Sequence, residues 1–373
     1  MKKPLKRIKH KAPKIKKPAR AGFDAMLGMI ETARTRAMAA VNNALIDLYW
    51  NIGEHISRRI DEDGWGHATV EELAVYVNRR HPGMSGYSAS NLWRMRQFYD
   101  TYRDQPKLAP LVRELSWSHN LLILGKCKGQ EEREFYIHCC LRERWGKRDL
   151  DRQINGALFE RSILSPPKLA PLVRELYPEA LDIFKDACLV EFLQLPSDHS
   201  EADLHTKLIE QLKRFIIELG RDFCLVGSKY RIQVGRRDFE LDLLFFNRAL
   251  NALVAIELKI EEFQPEHLGK LEFYLEALDR QIRKQHERPT IGVLLCATKD
   301  SEVVEYALSR SLSPALVAEY QTKMPDKRLL ESKLHEFFAL AESQAGMKAI
   351  EGPVTSQARK IAKTKKQESK ARR

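Results

Sequence analysis

The sequence lacks several features that would assign it to common protein classes. No apolar run in its 373 residues approaches the roughly 18 that a membrane-spanning helix needs, and the first twenty residues lack the apolar core of a secretory signal. The six cysteines form no CxxC pair, and neither GxxxxGK(S/T) nor HExxH occurs. These absences disfavour a membrane protein, an NTPase and a zinc enzyme. We expect a cytoplasmic protein with reduced, mostly buried thiols and no membrane partner.

Acidic residues are scarce at the two ends of the chain. Residues 1–20 hold ten Lys or Arg and no acid, and residues 353–373 hold eight against the single acid Glu368. The net charge is +12 overall, yet the residues between these ends carry a net −5. Ends so rich in lysine and so poor in large apolar groups predict disordered tails over residues 1–22 and 346–373. Such tails either attract phosphate backbones without reading sequence or only keep the protein soluble.

The apolar pattern divides the rest of the chain into two domains and a connector. Residues 23–165 have helical spacing, with apolar residues recurring every three or four positions between Ala33 and Ile60. Residues 166–200 form a proline-containing connector, and residues 201–345 alternate helical and strand-like runs. The prediction is an all-α N-terminal domain followed by an α/β domain, in which helices flank a mixed sheet. The string PKLAPLVREL occurs at Pro106–Leu115 and again at Pro167–Leu176, for which the sequence offers no physical reason.

Charged residues interrupt two strongly apolar strands in the segment FELDLLFFNRALNALVAIELKI, Phe239–Ile260. A hairpin there would bring Asp242 close to Glu257 and Lys259. Two carboxylates are hard oxygen ligands that suit Mg²⁺, and a lysine beside them could orient a water or stabilise charge on a phosphate. The spacing alone also allows an ordinary ion pair between Glu257 and Lys259, with Asp242 opening a turn.

Many short motifs occur in an order that resembles one family. In the C-terminal half the motifs are FIIELG (Phe215–Gly220), DLLFFNRALNALVAIELK (Asp242–Lys259), FQPEHLG (Phe263–Gly269), FYL (Phe273–Leu275) and IGVLLC (Ile291–Cys296). In the N-terminal half they are LYWNIG (Leu48–Gly53), GWG (Gly64–Gly66), GYSASNLWRMRQFY (Gly86–Tyr99), WSHNLLIL (Trp117–Leu124), REFY (Arg133–Tyr136) and FER (Phe159–Arg161). Over residues 25–345 the chain resembles the YhcG-like branch of the PD-(D/E)xK nuclease superfamily. The resemblance implies a helical N-terminal domain and a restriction-endonuclease-like C-terminal domain.

The resemblance also implies roles for the charged residues of the apolar strands. Asp242 and Glu257 would bind Mg²⁺, for which Mn²⁺ can substitute, and Lys259 would be the catalytic lysine. Many relatives have a glutamine where this chain has Lys270, four residues before the tyrosine that is kept here as Tyr274. Lys270 and Tyr274 are therefore auxiliary candidates.

The resemblance implies one more acid, on the first helix of the nuclease-like domain. Relatives commonly carry a glutamate there, and the equivalent position in this chain falls at His205 or Thr206. Glu201 or Glu210 would have to replace that glutamate, and Glu210 completes the auxiliary set.

The stretch Gly86–Tyr99 predicts a turn that enters a helix, as in a helix-turn-helix motif. Ser88, Asn91, Arg94 and Arg96 lie near the start of that helix and are the candidate nucleic-acid contacts. Residues 21–165 hold 20 basic and 19 acidic residues, so charge does not favour binding over packing or dimerisation.

The favoured function is metal-dependent hydrolysis of phosphodiester bonds in DNA, with the tails and the N-terminal domain holding the DNA. Linear, branched and single-stranded DNA are all candidate substrates, and a homo-oligomer is compatible with the sequence. The first alternative is a non-catalytic nucleic-acid-binding or assembly protein on a degenerate nuclease fold, motivated by Lys270 and the missing first-helix acid. The second is a helical interaction protein whose C-terminal half only mediates oligomerisation.

Overall fold

The computed structural model describes the backbone of residues 17–340 and the side chains of residues 23–340. The described chain forms two compact units that divide between Leu141 and Arg142. The helices are α1 Lys17–Asp63, α2 His67–Arg80, α3 Ala89–Tyr102, α4 Ala109–Glu114, α5 Trp117–Lys126, α6 Gln130–Glu143, α7 Lys147–Asn155, α8 Leu158–Leu164, α9 Pro171–Leu176, α10 Ala180–Ile183, α11 Glu201–Glu210, α12 Leu212–Leu219, α13 Glu266–Gln281 and α14 Ser301–Ser309. The strands are β1 Lys168–Leu169, β2 Ala187–Leu189, β3 Phe223–Val234, β4 Arg237–Asn247, β5 Ala252–Glu262, β6 Arg288–Thr298 and β7 Ala315–Gln321. Residues 327–340 are also helical.

The first unit packs shorter helices against the long helix α1. α1 lies along α3, and α3 also contacts α2 and α5. Ile46, Ile56, Met95 and Phe98 are almost completely buried in the core of this unit. At Gly53 the two helix backbones come so close that a Cβ atom would lie 2.2 Å from the carbonyl oxygen of Met95. The glycine of the LYWNIG motif therefore permits the contact between α1 and α3.

The first helix begins earlier than the sequence predicted. α1 begins at Lys17, so residues 17–22, which we expected to be disordered, are helical. Pro18 is compatible with this because the first turn of a helix tolerates a proline, whose missing N–H would have had no partner there. The rest of both predicted tails, and the end of the predicted nuclease-like domain, fall in residues 1–16 and 341–373, outside the described residues.

The second unit is built on a seven-stranded mixed sheet with the order β1-β7-β6-β5-β4-β3, and β2 also pairs with β7. The pairs β3–β4 and β4–β5 are antiparallel, whereas β5–β6 and β6–β7 are parallel. Leu204 and Phe215, from α11 and α12, pack into one core cluster with Leu243 of β4, and Tyr274 of α13 packs into another with Leu244. Helices therefore cover both faces of the sheet, and the predicted fold class is confirmed.

Residues 166–200, which we expected to be a connector, take part in this sheet. β1 and β2 lie in the segment and both pair with β7. Leu169, Val173 and Tyr177 lie in the same core cluster as the central strands. The physical reason is that these pairings cover the polar backbone edge that β7 would otherwise expose. The second compact unit thus begins well before residue 201.

Two further features concern the burial of the cysteines and the length of the helices. Five of the six cysteines are buried, and Cys224 is exposed. Among residues 17–340, no helix combines the length and the apolar character required to cross a bilayer.

Candidate active site

Asp242 lies beside the Glu257-x-Lys259 sequence at the point where the ladder between β4 and β5 ends. The last backbone pair at this end joins Leu243 to Ile256, so Asp242 is the next residue of β4 beyond the ladder. The Asp242 side chain takes the place of a backbone partner there, because its Oδ2 accepts a hydrogen bond of 3.0 Å from the N–H of Leu258, the residue between Glu257 and Lys259. The antiparallel strands thus bring together the three residues that the sequence singled out.

Glu257 is the most deeply buried member of this group. The residue is 1% exposed, and its Oε1 accepts a hydrogen bond from Lys270 and lies 3.9 Å from the Nζ of Lys259. Its Oε2 is buried without a hydrogen-bond partner. Burial raises the pKa of Glu257 and Asp242 raises it further, against the opposing effect of Lys270. The Glu257 carboxylate is therefore shielded from solvent, and one of its oxygens has no hydrogen-bond partner.

Lys259 is fixed by an acid from the first helix of the domain. Its Nζ donates a hydrogen bond of 3.0 Å to Oε1 of Glu201, and its side chain is only 15% exposed. Glu201 is one of the two acids considered as replacements for the missing glutamate. The other, Glu210, lies nine residues further along α11, about 13 Å of helix, and pairs at 2.8 Å with Lys207. The structure therefore brings Glu201 to the group, and not Glu210.

Lys229 of β3 belongs to the group although sequence reasoning missed it. Its Nζ donates a hydrogen bond of 2.6 Å to Oδ1 of Asp242 and lies 3.7 Å from Glu240. Burial lowers the pKa of Lys229, but the pairing with Asp242 outweighs this and raises it. The β3–β4 pairing shifts register between Leu225 and Gly227, and Lys229 has a φ of +47°. The only signal in the sequence was a lysine in a strand-like run, and the register shift could not be read from it.

The auxiliary candidates Lys270 and Tyr274 lie on one face of α13 against the same strands. Lys270 donates a hydrogen bond to Glu257, and its Nζ lies 5.6 Å from the centre of the Tyr274 ring. The Tyr274 hydroxyl donates a hydrogen bond of 2.7 Å to the backbone carbonyl of Glu240. Burial lowers the pKa of Lys270, but the hydrogen bond with Glu257 outweighs this and raises it. Tyr274 thus ties α13 to β4 and supports Lys270.

His205 lies at one of the two positions where relatives commonly carry a glutamate. Its imidazole is half-buried near Lys229 and Asp242. Burial lowers the pKa of His205 and the charge of Lys229 lowers it further. The lowered pKa favours the neutral form of His205, which adds no charge to the group.

The residues of this group fit a divalent cation in their chemistry. Asp242 and Glu257 supply hard carboxylate oxygens, and the buried Oε2 of Glu257 has no partner from the protein. Within the described part of the chain, no set of three or more His, Cys, Asp or Glu side chains is arranged as a metal site. Two carboxylates can bind a divalent cation that keeps several waters of its own.

The four candidate nucleic-acid contacts lie around the start of α3, and three have contacts within the first unit. Ser88 caps the helix, since its Oγ accepts a 3.3 Å hydrogen bond from the N–H of Asn91, and the side chain of Asn91 bonds the Gly86 carbonyl at 2.6 Å. Arg96 pairs with Asp100 at 3.1 Å. Arg94 is exposed to solvent.

The turn before α3 is also longer than the motif requires. Eight residues separate α2 from α3, whereas a helix-turn-helix joins its helices by three or four.

Comparisons with known proteins agree with the arrangement of the two units. A family model described as the DUF1016 N-terminal domain matches residues 26–161, and one described as the YhcG PDDEXK nuclease domain matches residues 181–335. Over 356 residues the chain is 29% identical to "Putative nuclease YhcG" of Escherichia coli (strain K12), which covers 86% of this chain and 94% of that protein.

Two solved structures match part of the chain. A repair endonuclease from Pyrococcus abyssi matches with 15% identity and a TM-score of 0.23, over 35% of this chain and 49% of that one. EndoMS in its apo form matches with 17% identity and a TM-score of 0.22, over 35% of this chain and 48% of that one. The chain thus spans about half the length of each of these structures.

The motifs quoted from the sequence fall inside the two matched domains, which occur in the same order as in the predicted architecture. The resemblance is confirmed by both matches and by the relative that covers most of the chain. Over most of its length the chain is therefore similar to YhcG, with a segment that matches the DUF1016 N-terminal domain followed by one that matches the YhcG PDDEXK nuclease domain.

Proposed function

We propose that the protein is a metal-dependent nuclease that hydrolyses phosphodiester bonds in DNA, with Asp242 and Glu257 holding Mg²⁺ or Mn²⁺ and Lys259 assisting the attacking water. One observation carries the proposal. The Asp242 carboxylate bonds the N–H of Leu258 and so lies directly beside Glu257 and Lys259. Three charged side chains from two buried strands then meet in one place, where unpaired charge is costly.

The residues of the group divide the chemistry between them. A bound Mg²⁺ supplies Lewis acidity and lowers the pKa of a bound water. Asp242 and Glu257 would hold it through their carboxylate oxygens, of which Oε2 of Glu257 has no partner from the protein. Lys259 is kept close to Glu257 by Glu201, so its ammonium is held in position to orient a water or to offset charge that develops on the phosphate.

DNA as the substrate is supported by the family and by the charge of the chain ends. The basic tails attract any phosphate backbone, and this attraction weakens with salt. In the first unit Arg94 is exposed on α3 and offers a further phosphate contact.

The test is a cleavage assay on linear, branched and single-stranded DNA in Mg²⁺ and in Mn²⁺. We expect Asp242→Asn, Glu257→Gln and Lys259→Ala each to lower the cleavage rate by about 10²-fold or more, as removal of one transition-state contact does elsewhere. Lys168→Ala and Glu305→Gln are matched controls, because these residues form an exposed ion pair at 2.7 Å in the same unit. Both controls should cleave like the unsubstituted protein.

Two results would contradict the proposal. Cleavage that survives Lys259→Ala unchanged would remove the role of this lysine. DNA that is bound but not nicked in either metal would instead favour the non-catalytic alternative. The ion pairs of Lys229 with Asp242 and of Lys270 with Glu257 are the observation that favours this alternative, because they neutralise the two acids without a metal.

A further inference from the structure

Two lysines that are not part of the Asp242, Glu257 and Lys259 set each bind one carboxylate oxygen of the two acids. Lys229 donates to Oδ1 of Asp242 at 2.6 Å, and Lys270 donates to Oε1 of Glu257. The other oxygen of Asp242 is already occupied by the N–H of Leu258. A cation that binds Asp242 must therefore compete with Lys229, and one that binds Oε1 of Glu257 must compete with Lys270.

These two lysines differ from Lys259 in how firmly they are held. The side chains of Lys229 and Lys270 are 44% and 51% exposed, whereas that of Lys259 is 15% exposed. A lysine ammonium on a flexible four-carbon stem can turn into solvent when its head is exposed. Lys229 also has a second carboxylate within 3.7 Å, that of Glu240, to which it can move. Lys229 and Lys270 can leave the acids without disturbing the fold, and Lys259 remains.

Replacement of the two lysine ammonium groups by one divalent cation would conserve charge. Two ammonium groups carry the same charge as one divalent cation, so replacing both by Mg²⁺ leaves the net charge around two buried carboxylates unchanged. Losing the lysines without a replacement would leave unpaired buried carboxylates, which is costly. Binding of the metal and release of the lysines are therefore linked, and each opposes the other.

We propose that Lys229 and Lys270 act as displaceable internal cations that hold Asp242 and Glu257 in the metal-free protein and are released when a divalent metal binds. This inference rests on the proposed function, because it takes Asp242 and Glu257 as the metal ligands. Each released ammonium remains tethered next to the site and becomes available to the phosphates of the nucleic acid. The two lysines then lower the affinity for the metal alone and raise it when DNA is also bound.

The first test measures Mn²⁺ binding to the full-length protein by calorimetry, without DNA, at about pH 8, well above the ordinary carboxyl pKa. We expect Lys229→Met and Lys270→Gln each to tighten Mn²⁺ binding by about tenfold or more, since each removes a competing charge-assisted hydrogen bond. Lys168→Gln, which removes an ammonium from an exposed ion pair in the same unit, should leave the affinity unchanged. Glu257→Gln should remove binding.

A second measurement uses the unsubstituted protein and so does not depend on whether the variants fold. The lysines are acetylated in the presence and absence of Mn²⁺, and the rate at each lysine is read by mass spectrometry. We expect Mn²⁺ to raise the rates at Lys229 and Lys270 several-fold and to leave Lys168 unchanged. The neutral amine is the form that reacts, and it forms more readily and is more accessible once the carboxylate no longer binds the ammonium.

The outcomes separate this inference from the proposed function. Equal Mn²⁺ affinity in the unsubstituted protein and in both lysine variants overturns the exchange and leaves the metal site standing. Acetylation rates at Lys229 and Lys270 that do not respond to bound Mn²⁺ overturn it in the same way. If neither the unsubstituted protein nor any lysine variant binds Mn²⁺, the metal site itself is wrong and both proposals fail.

Discussion

At the scale of residues, two buried glutamates of the second unit have opposite surroundings. Glu218 of the FIIELG motif is fully buried, and its carboxylate accepts hydrogen bonds from Arg152 at 2.8 Å, Gln153 at 3.0 Å and the Leu189 N–H at 3.0 Å. Glu257 is as deeply buried but has one oxygen without a partner. A buried acid whose partners are complete stabilises the fold, whereas one with an unused oxygen is a candidate for binding and chemistry.

Glu218 leads to a prediction about stability and pH. Burial opposes its ionisation, but Lys185, Arg152 and Arg161 outweigh burial and lower the pKa of Glu218 to about 2. Glu218→Gln should therefore cost about 3 kcal/mol of unfolding free energy near neutral pH, because it leaves buried cations without their partner. The folded pKa is lower than the unfolded one, so this contribution is complete above the ordinary glutamate pKa of about 4.3. It is lost as the pH falls from there through about 2.

Urea unfolding followed by circular dichroism at several pH values measures this difference. The gap between the unsubstituted protein and Glu218→Gln should narrow steadily as the solution is acidified. Glu276→Gln is the control, since Glu276 pairs with Arg280 on the surface, and it should change stability by less than about 0.5 kcal/mol. A gap that stays constant with pH would show that Glu218 is not ionised in the folded protein.

The sequence was informative about the residues of the site only where charge breaks an apolar pattern. Asp242, Glu257 and Lys259 could be selected because they interrupt buried strands, and their proximity follows from a short hairpin. Lys229 could not, because its contact with Asp242 depends on a register shift in β3. Nor could the pattern choose Glu201 over Glu210, since both lie on one helix and only the packing of α11 decides which end meets Lys259.

At the scale of elements, the crossing of α1 and α3 depends on Gly53. We predict that Gly53→Ala destabilises the first unit by about 3 kcal/mol, because the added Cβ would lie 2.2 Å from a backbone oxygen of α3 and the helices would have to separate. Tryptophan fluorescence during urea unfolding reports on this unit, which contains Trp50, Trp65, Trp93 and Trp117.

Gly28 provides a control on the same helix. A Cβ atom at Gly28 would have nothing within 4 Å, so Gly28→Ala should stabilise the helix by about 1 kcal/mol, the difference in helix propensity between the two residues. The prediction for Gly53 is wrong if both substitutions shift the unfolding midpoint in the same direction.

Helices and strands could be predicted where the local sequence pattern determines them, but not where packing against other elements determines them. The stretch Gly86–Tyr99 forms the predicted turn and helix, and that helix, α3, spans Ala89–Tyr102. The two copies of PKLAPLVREL show the limit. Both copies contain a short helix, which begins at Ala109 in the first copy and at Pro171 in the second. Just before that helix the copies differ, because Lys168 and Leu169 of the second copy form β1 against β7, whereas the equivalent two residues of the first copy form a turn. The same ten residues therefore differ in structure because only one copy lies beside a strand edge.

At the scale of the whole molecule, the fold class could be predicted because strand-like and helical runs alternate in the second half of the chain and not in the first. That residues 166–200 join the sheet could not be predicted, since β1 and β2 are too short to produce an alternating pattern and join the sheet only through β7. The site draws on α11, β3, β4, β5 and α13, and therefore exists only when the second unit is folded.

The most direct test of the metal site is a crystal of the full-length protein soaked in Mn²⁺ and measured at a wavelength where manganese scatters anomalously. The account predicts an anomalous peak in contact with the carboxylates of Asp242 and Glu257, and no peak at this place in crystals of Glu257→Gln. Crystals of the unsubstituted protein without a peak between these carboxylates, or with manganese bound only elsewhere, would contradict it.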